Sequence, residues 1–272
     1  MRRNIGLICL TLALAGGTAA GQAPASGAAQ TQPPQTPQST APIDLAGNWV
    51  AVVTEDWRWR MVTPPKGDYA SLPLNPAGIK RAEAWTPEMD GQCEAYGMGG
   101  LLRMPTRLRI SWQDAQTLKI ESDAGTQTRL LHFSADAAEP TERSLQGFSR
   151  AEWLRPGRGG GFGVQGGGAG AGPVASGPAP TAGPPPVGGS LKATTTRLRE
   201  GWLRKNGVAY SENAEVTEYF ERFSVPNGDE WFTVTTIVHD PTYLTQDAVV
   251  SSHFKREVDG SKWSPSSCRQ AS

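Results

Sequence analysis

The feature that most constrains the fold is a succession of short segments in which apolar residues occupy every second position. Residues 106–112 set Leu108, Ile110 and Trp112 against Arg107, Arg109 and Ser111. Residues 117–121 repeat the pattern with Leu118 and Ile120 across Lys119, and Asp123-Ala124-Gly125 turns the chain into 126–133. Side chains alternate between the two faces of a strand, so this period suits a sheet with one buried face. Segments 147–154, 191–198, 231–238 and 243–255 extend the series, with a stop at Asp240-Pro241; in 214–223 Val216, Phe220 and Phe223 could equally mark a helix face, and the hairpin turn at Asn227-Gly228-Asp229 that follows favours a strand. At the front, 45–61 holds Trp49, Val50, Val52, Val53, Trp57 and Trp59, and Trp57-Arg58-Trp59-Arg60-Met61 alternates strictly. A strand there would put Trp57 and Trp59 on one face and Arg58 and Arg60 on the other. Helical character is confined to 75–85, where Asn75 suits an N-cap, Pro76 the first helical position and Pro87 a stop. The whole predicts an all-β fold of 8–10 antiparallel strands with one short helix. Sheets of that size must dispose of their edges, so an up-and-down barrel is expected, with a β-sandwich as the alternative.

The chain begins Met1-Arg2-Arg3, continues with an apolar run at 5–14 and closes on small residues up to Ala20. That is the grammar of a secretory signal peptide, with cleavage expected near Ala20 and a secreted or periplasmic destination. The run is too short to cross a bilayer, which takes roughly 20 residues, and no transmembrane segment is expected. Residues 21–43, rich in Ala, Pro, Gln, Ser and Thr, read as a disordered spacer. Residues 156–189, with Gly159-Gly160-Gly161, Gly166-Gly167-Gly168 and Pro184-Pro185-Pro186, read as a disordered insertion in a single β-domain spanning 44–268. No Gly-Lys-Ser/Thr follows those glycines, so a phosphate loop is not indicated. Removing Arg2 and Arg3 with the signal reduces the 26 basic residues to 24 against 26 acidic ones, a balance that gives no reason to expect nucleic acid as a partner. Cys9 leaves with the signal, and the remaining Cys93 and Cys268 are expected to form a disulfide in an oxidising compartment.

Gly47-Asn48-Trp49 at the entry to the first strand resembles the opening of lipocalin-like (calycin) barrels. That resemblance implies a tryptophan packed across one end of the barrel and covered by an arginine of the last strand, for which Lys255 and Arg256 are the candidates. A broader resemblance rests on Trp57-Arg58-Trp59-Arg60-Met61, Gly147-Phe148-Ser149, Trp153, Trp202-Leu203-Arg204-Lys205-Asn206-Gly207, Tyr210-Ser211-Glu212, Thr235-Thr236-Ile237-Val238 and Tyr243-Leu244-Thr245-Gln246. Together these segments resemble a widespread family of exported bacterial β-rich proteins. No activity is established for that family, so the resemblance implies a fold and a destination and supplies no catalytic residue.

Nine tryptophans are many for one domain. Trp57, Trp59, Trp112, Trp202 and Trp231 either fill the core or line an apolar ligand cavity; inward-facing arginines would instead favour an anionic ligand. The segment 201–212 reads as a long polar connection whose Tyr210, Ser211 and Glu212 form a rim at a barrel mouth. These eight residues are the candidate ligand site. His132, His239 and His253 follow no metal-binding spacing, no Gly-x-Ser-x-Gly elbow is present, and Glu212 and Glu218 are the carboxylates nearest to acid–base work. No catalytic residue, metal or cofactor is assigned. The leading expectation is an exported, non-enzymatic binding protein for a small hydrophobic or amphipathic ligand. The alternatives are a cell-envelope protein-interaction module with a filled core, and a hydrolase or isomerase using a barrel-mouth carboxylate. Ligand identity and oligomeric state are left open.

Overall fold

A computed structural model describes residues 35–155 and 188–268. Residues 1–34, 156–187 and 269–272 lie outside the described residues, and with them the expected signal peptide at 1–20, the expected spacer as far as residue 34 and most of the expected insertion at 156–189. The remaining spacer residues, 35–43, belong to the folded unit: Trp153 donates its indole N–H to Pro37 O at 2.9 Å, and Ile43 is buried in the core. The domain therefore starts before residue 44, because these residues satisfy a buried donor and contribute an apolar side chain.

The strands run β1 (Gly47–Val52), β2 (Arg107–Asp114), β3 (Thr117–Ser122), β4 (Gln127–His132), β5 (Phe148–Leu154), β6 (Ser190–Thr196), β7 (Gly201–Arg204), β8 (Val208–Tyr210), β9 (Glu215–Ser224), β10 (Glu230–His239) and β11 (Ala248–Glu257). Three short helices lie between β1 and β2: α1 (Trp57–Arg60), α2 (Pro76–Glu83) and α3 (Met98–Leu101). Nine strands close into a barrel in the order β1-β11-β10-β9-β6-β5-β4-β3-β2, while β7 and β8 form a separate hairpin. The expected barrel is thus present. Strict up-and-down alternation cannot close on an odd number of strands, so one pair must be parallel. That pair is β4–β5, joined at Leu131 opposite Ser149 and His132 opposite Arg150. Beside it β5 and β6 pair along their whole length, with Leu154 opposite Ser190 flanking residues 156–187.

The expected helix is α2: Asn75 Oδ1 accepts from Gly78 N at 2.9 Å, and Pro76 opens the helix. The segment 57–61 departs from expectation, because α1 is a turn of helix and not a strand. β1 ends at Val52, and Asp56 then takes a left-handed conformation (φ 53°) that breaks the extended run. In the helical turn Trp57 and Trp59 no longer share a face, leaving Trp57 68% exposed while Arg60 is buried.

One half of the barrel interior is packed with apolar side chains. Trp49, Leu108, Ile110, Leu118, Ile120, Leu131, Leu191, Phe220, Phe232 and Phe254 form one buried cluster, with Trp112, Phe133 and Trp153 packed against it. Trp49 meets Phe232 edge-on, with centroids 4.8 Å apart, and donates its indole N–H to Leu45 O at 2.8 Å. The Arg256 guanidinium lies over the Trp49 ring, 5.0 Å from its centroid. Gly47 permits this cover: its φ is +140°, and a Cβ there would sit 3.1 Å from Arg256 Nη2. Of the two candidates on the last strand, Arg256 is the one that covers the tryptophan.

The opposite half of the interior is polar. Arg129 of β4 reaches across to Glu218 of β9, Nη1 to Oε2 2.5 Å, with both side chains buried. Arg129 also donates to Ser149 Oγ (3.0 Å) and Thr195 Oγ1 (2.9 Å), which bond each other at 2.8 Å. This end is closed by a cap made of α1, α2, α3 and the β7–β8 hairpin. Its contact with the barrel is a second apolar cluster of Ala82, Met98, Leu198, Leu203, Val208, Tyr210, Ala214, Val216, Val238, Leu244 and Ala248. Cys93 and Cys268 are joined by a disulfide, which ties the C-terminal tail to the cap.

Candidate functional site

A cavity of about 120 Å³ lies where the cap meets the ends of β10 and β11. Its apolar wall comes from Leu72, Met104, Trp202, Leu203, Val238 and Val250, and its polar wall from Asp56, Arg60, Arg103, Arg204 and Lys205. Sequence-distant elements meet there because α3 can come close to the hairpin. A Cβ on Gly99 would sit 2.7 Å from Leu203 Cδ2, and one on Gly100 would sit 2.7 Å from Trp202 O.

The cationic side chains are held in place individually. Arg60 donates from Nε to Arg103 O at 2.8 Å and from Nη1 to Glu55 Oε1 at 2.7 Å. Arg103 Nη2 donates to Asp56 Oδ2 at 2.7 Å. Arg204 donates to Asp68 O and Ala70 O at 3.0 and 2.8 Å and lies over the Trp59 ring at 4.6 Å. Trp59 Nε1 and Arg58 Nη2 both donate to Asp68 Oδ2, and these bonds, the indole first, hold that carboxyl below its usual range. Burial, and then the like charge of Arg103, lowers the pKa of Arg60. Burial also lowers that of Arg204, with Arg103 adding to the effect.

The eight candidate residues do not converge on one place. Trp59 and Trp202 line this cavity. Trp57 is exposed on the outer side of α1. Trp112 packs with Phe133 and Trp153 at the other end of the barrel, their ring centroids 5.1–6.4 Å apart. Trp231 sits on β10 under Lys255 Nζ, 5.9 Å from its ring centroid. The expected polar rim at 201–212 is instead a buried hairpin. Tyr210 is fully buried, which pushes its phenol pKa well up; Ser211 is clamped to Asp240 (Oγ to Oδ1, 2.7 Å); and Glu212 lies outside, against Arg143. The reason is apolar content: Trp202, Leu203, Val208, Ala209 and Tyr210 are buried between cap and barrel, while only the turn of the hairpin is polar.

Glu218 lies inside the barrel with Arg129 and lines neither this cavity nor the open groove beside His132, Arg150 and Lys192 on β4–β6. Burial raises its pKa, with Arg129 opposing. His239 bonds Asp247 and His253 bonds Glu55, and no metal-binding group of His, Cys, Asp or Glu occurs among the described residues. No described helix is long and apolar enough to cross a membrane. In the sequence Arg60 figures only as an inward-facing alternative, because a strand at 57–61 with its tryptophans inward sends it to solvent, and nothing local marks Arg103. The nearest signal was the surplus of arginine beside tryptophan in that segment. Comparison with protein-family models, curated proteins and solved structures finds no match.

Proposed function

We propose that the exported protein is a non-enzymatic binder of a small amphipathic molecule, held between the cap and the end of the barrel. The observation that carries this reading is the cavity itself, whose lining combines apolar side chains with arginines held by hydrogen bonds. Its size limits the ligand. An apolar cavity of about 150 Å³ accommodates benzene, whereas drug-sized ligands occupy about 300–1,000 Å³. The apolar part of the ligand is therefore about one ring or a short branched chain. Toluene is a suitable neutral probe. Titrated against the full chain, it should raise the unfolding free energy with the logarithm of its concentration above Kd, by about 2.7 kcal/mol at a hundredfold excess over Kd. Val250→Phe, which fills the apolar wall, should abolish the effect. No stabilisation, or an equal effect in the variant, would contradict the reading.

The filled barrel and the exposed Trp57, Met61 and Val62 favour a second reading, a docking face for an envelope protein. In that case toluene has no effect, and Trp57→Ser weakens an association that Val250→Phe leaves intact.

A further inference from the structure

The outward side of α1 carries chemistry that the cavity does not use. Seven large apolar residues are exposed among the described residues, and three of them, Trp57, Met61 and Val62, fall within six consecutive positions. Exposed apolar residues scattered singly are ordinary, whereas a cluster marks a contact surface. Met61 N donates to Trp57 O at 2.9 Å, so these two side chains stand one helical turn apart on the same face, with Val62 next in the chain. The inward side of the turn carries Trp59 and Arg60, which line the cavity.

Charge is sorted between the same two sides. Residues 54–71 hold three carboxylates and three basic side chains, so the stretch is balanced in number. It is not balanced in placement. The carboxylates are half-buried and each is held by a donor: Glu55 by Arg60, Asp56 by Arg103, and Asp68 by Arg58 and Trp59. Arg58 meets Asp68 from outside, its side chain 63% exposed against 12% for the carboxylate, and Lys66 is exposed as well. The outer face therefore shows water apolar and basic groups together. A stable protein interface takes about 800 Å² from each partner, some 20–30 residues a side, and the apolar face here is one helical turn. A lipid surface asks for no matching partner: tryptophan settles at the headgroup level, its apolar neighbours reach the acyl boundary, and basic side chains meet anionic headgroups. We infer that Trp57, Met61 and Val62, flanked by Arg58 and Lys66, form a docking surface for an anionic lipid membrane. Docking would hold the cavity next to lipid, but the inference rests on the outer face alone and does not depend on the cavity reading.

The test is sedimentation with vesicles of the chain from residue 21 onward, because the apolar run at 5–14 would itself bind lipid. Vesicles of phosphatidylglycerol and phosphatidylcholine in equal parts should bind the protein about tenfold more tightly than phosphatidylcholine alone, and added salt should narrow the difference. Trp57→Ser should weaken binding about tenfold, the effect of withdrawing one large apolar side chain from lipid. Its unfolding temperature should match the wild type, since the side chain is exposed, and so show that the variant is folded. Lipid brominated on its acyl chains should quench part of the wild-type tryptophan fluorescence, and Trp57→Phe should still bind but lose that quenching. No binding to the phosphatidylglycerol vesicles would overturn the inference and leave this face to the protein-docking reading. Undiminished binding by Trp57→Ser, or quenching that persists in Trp57→Phe, would also overturn it, because another face would then be touching lipid. Equal binding to phosphatidylcholine alone would overturn the choice of an anionic surface.

Discussion

His132 shows how one side chain's surroundings set a measurable property. Its ring stacks on Phe148 with centroids 5.1 Å apart at the end of β4. Burial lowers its pKa below the ordinary 6.5, with Arg150 adding to the effect and Asp114 opposing it. The folded state thus favours the neutral ring. Its contribution to stability is present above the unfolded value near 6.5 and is lost as pH falls through the lowered folded value. Between pH 7 and pH 5 the wild type should therefore lose more unfolding free energy than His132→Gln, as measured by urea titration. Parallel curves would contradict this. The exposed His239, whose pKa is raised by its bond to Asp247, has the opposite sign and is common to both proteins, so it cancels. At this scale Trp49 and Asn75 were legible in the sequence, because a Gly-x-Trp entry and an Asn-Pro cap each follow from local geometry. The Arg60 environment was not, because its partners Glu55 and Arg103 acquire meaning only once 57–61 turns as a helix.

At the scale of elements, alternation marked most of the barrel strands, whereas 214–223 also suited a helix face and became a strand only through Asn227-Gly228-Asp229, the β9–β10 hairpin turn where Val225 N donates to Asp229 O at 3.0 Å. Alternation also misled at Trp57-Arg58-Trp59-Arg60, since four residues of period two are equally a helical turn when the preceding Asp56 breaks the strand. The parallel β4–β5 pair could not be read locally, because it follows from the parity of the closed sheet. The polar layer beneath the cap links β4, β5, β6 and β9 through Arg129, Ser149, Thr195 and Glu218. Removing one member of such a buried pair leaves the other charge without compensation, at a cost of about 3–5 kcal/mol, whereas replacing both with apolar residues is often neutral. Glu218→Gln should therefore destabilise by about 3–5 kcal/mol at pH 7. The double variant Arg129→Met with Glu218→Leu should recover most of that loss. Additive losses in the double-mutant cycle would show that the pair is not a coupled unit.

At the scale of the molecule, the barrel is an aromatic plug at one end and a polar, capped interior at the other. The Cys93–Cys268 disulfide holds the tail across a sequence separation of 175 residues and, in the chain-entropy account, contributes up to about 5 kcal/mol. Tail and turn also bond directly, from Ser266 N to Asp123 O at 2.8 Å and from Thr126 Oγ1 to Ser266 O at 2.8 Å. The barrel class was legible because period two recurs through most of the strands and a hairpin turn settles the remaining one. The cavity was not, because residues as distant as Arg60, Arg103, Trp202 and Val250 meet there only after the cap has folded onto the barrel. The central claim is that ligand binds at this junction and not in the barrel lumen. Methyl NMR of the full chain titrated with toluene tests it most directly. Saturable shifts should be confined to Leu72, Leu203, Val238, Ala248 and Val250, with Leu118, Leu131 and Leu191 unmoved. Shifts at those three lumen leucines, or at Met61 and Val62 alone, would contradict the account.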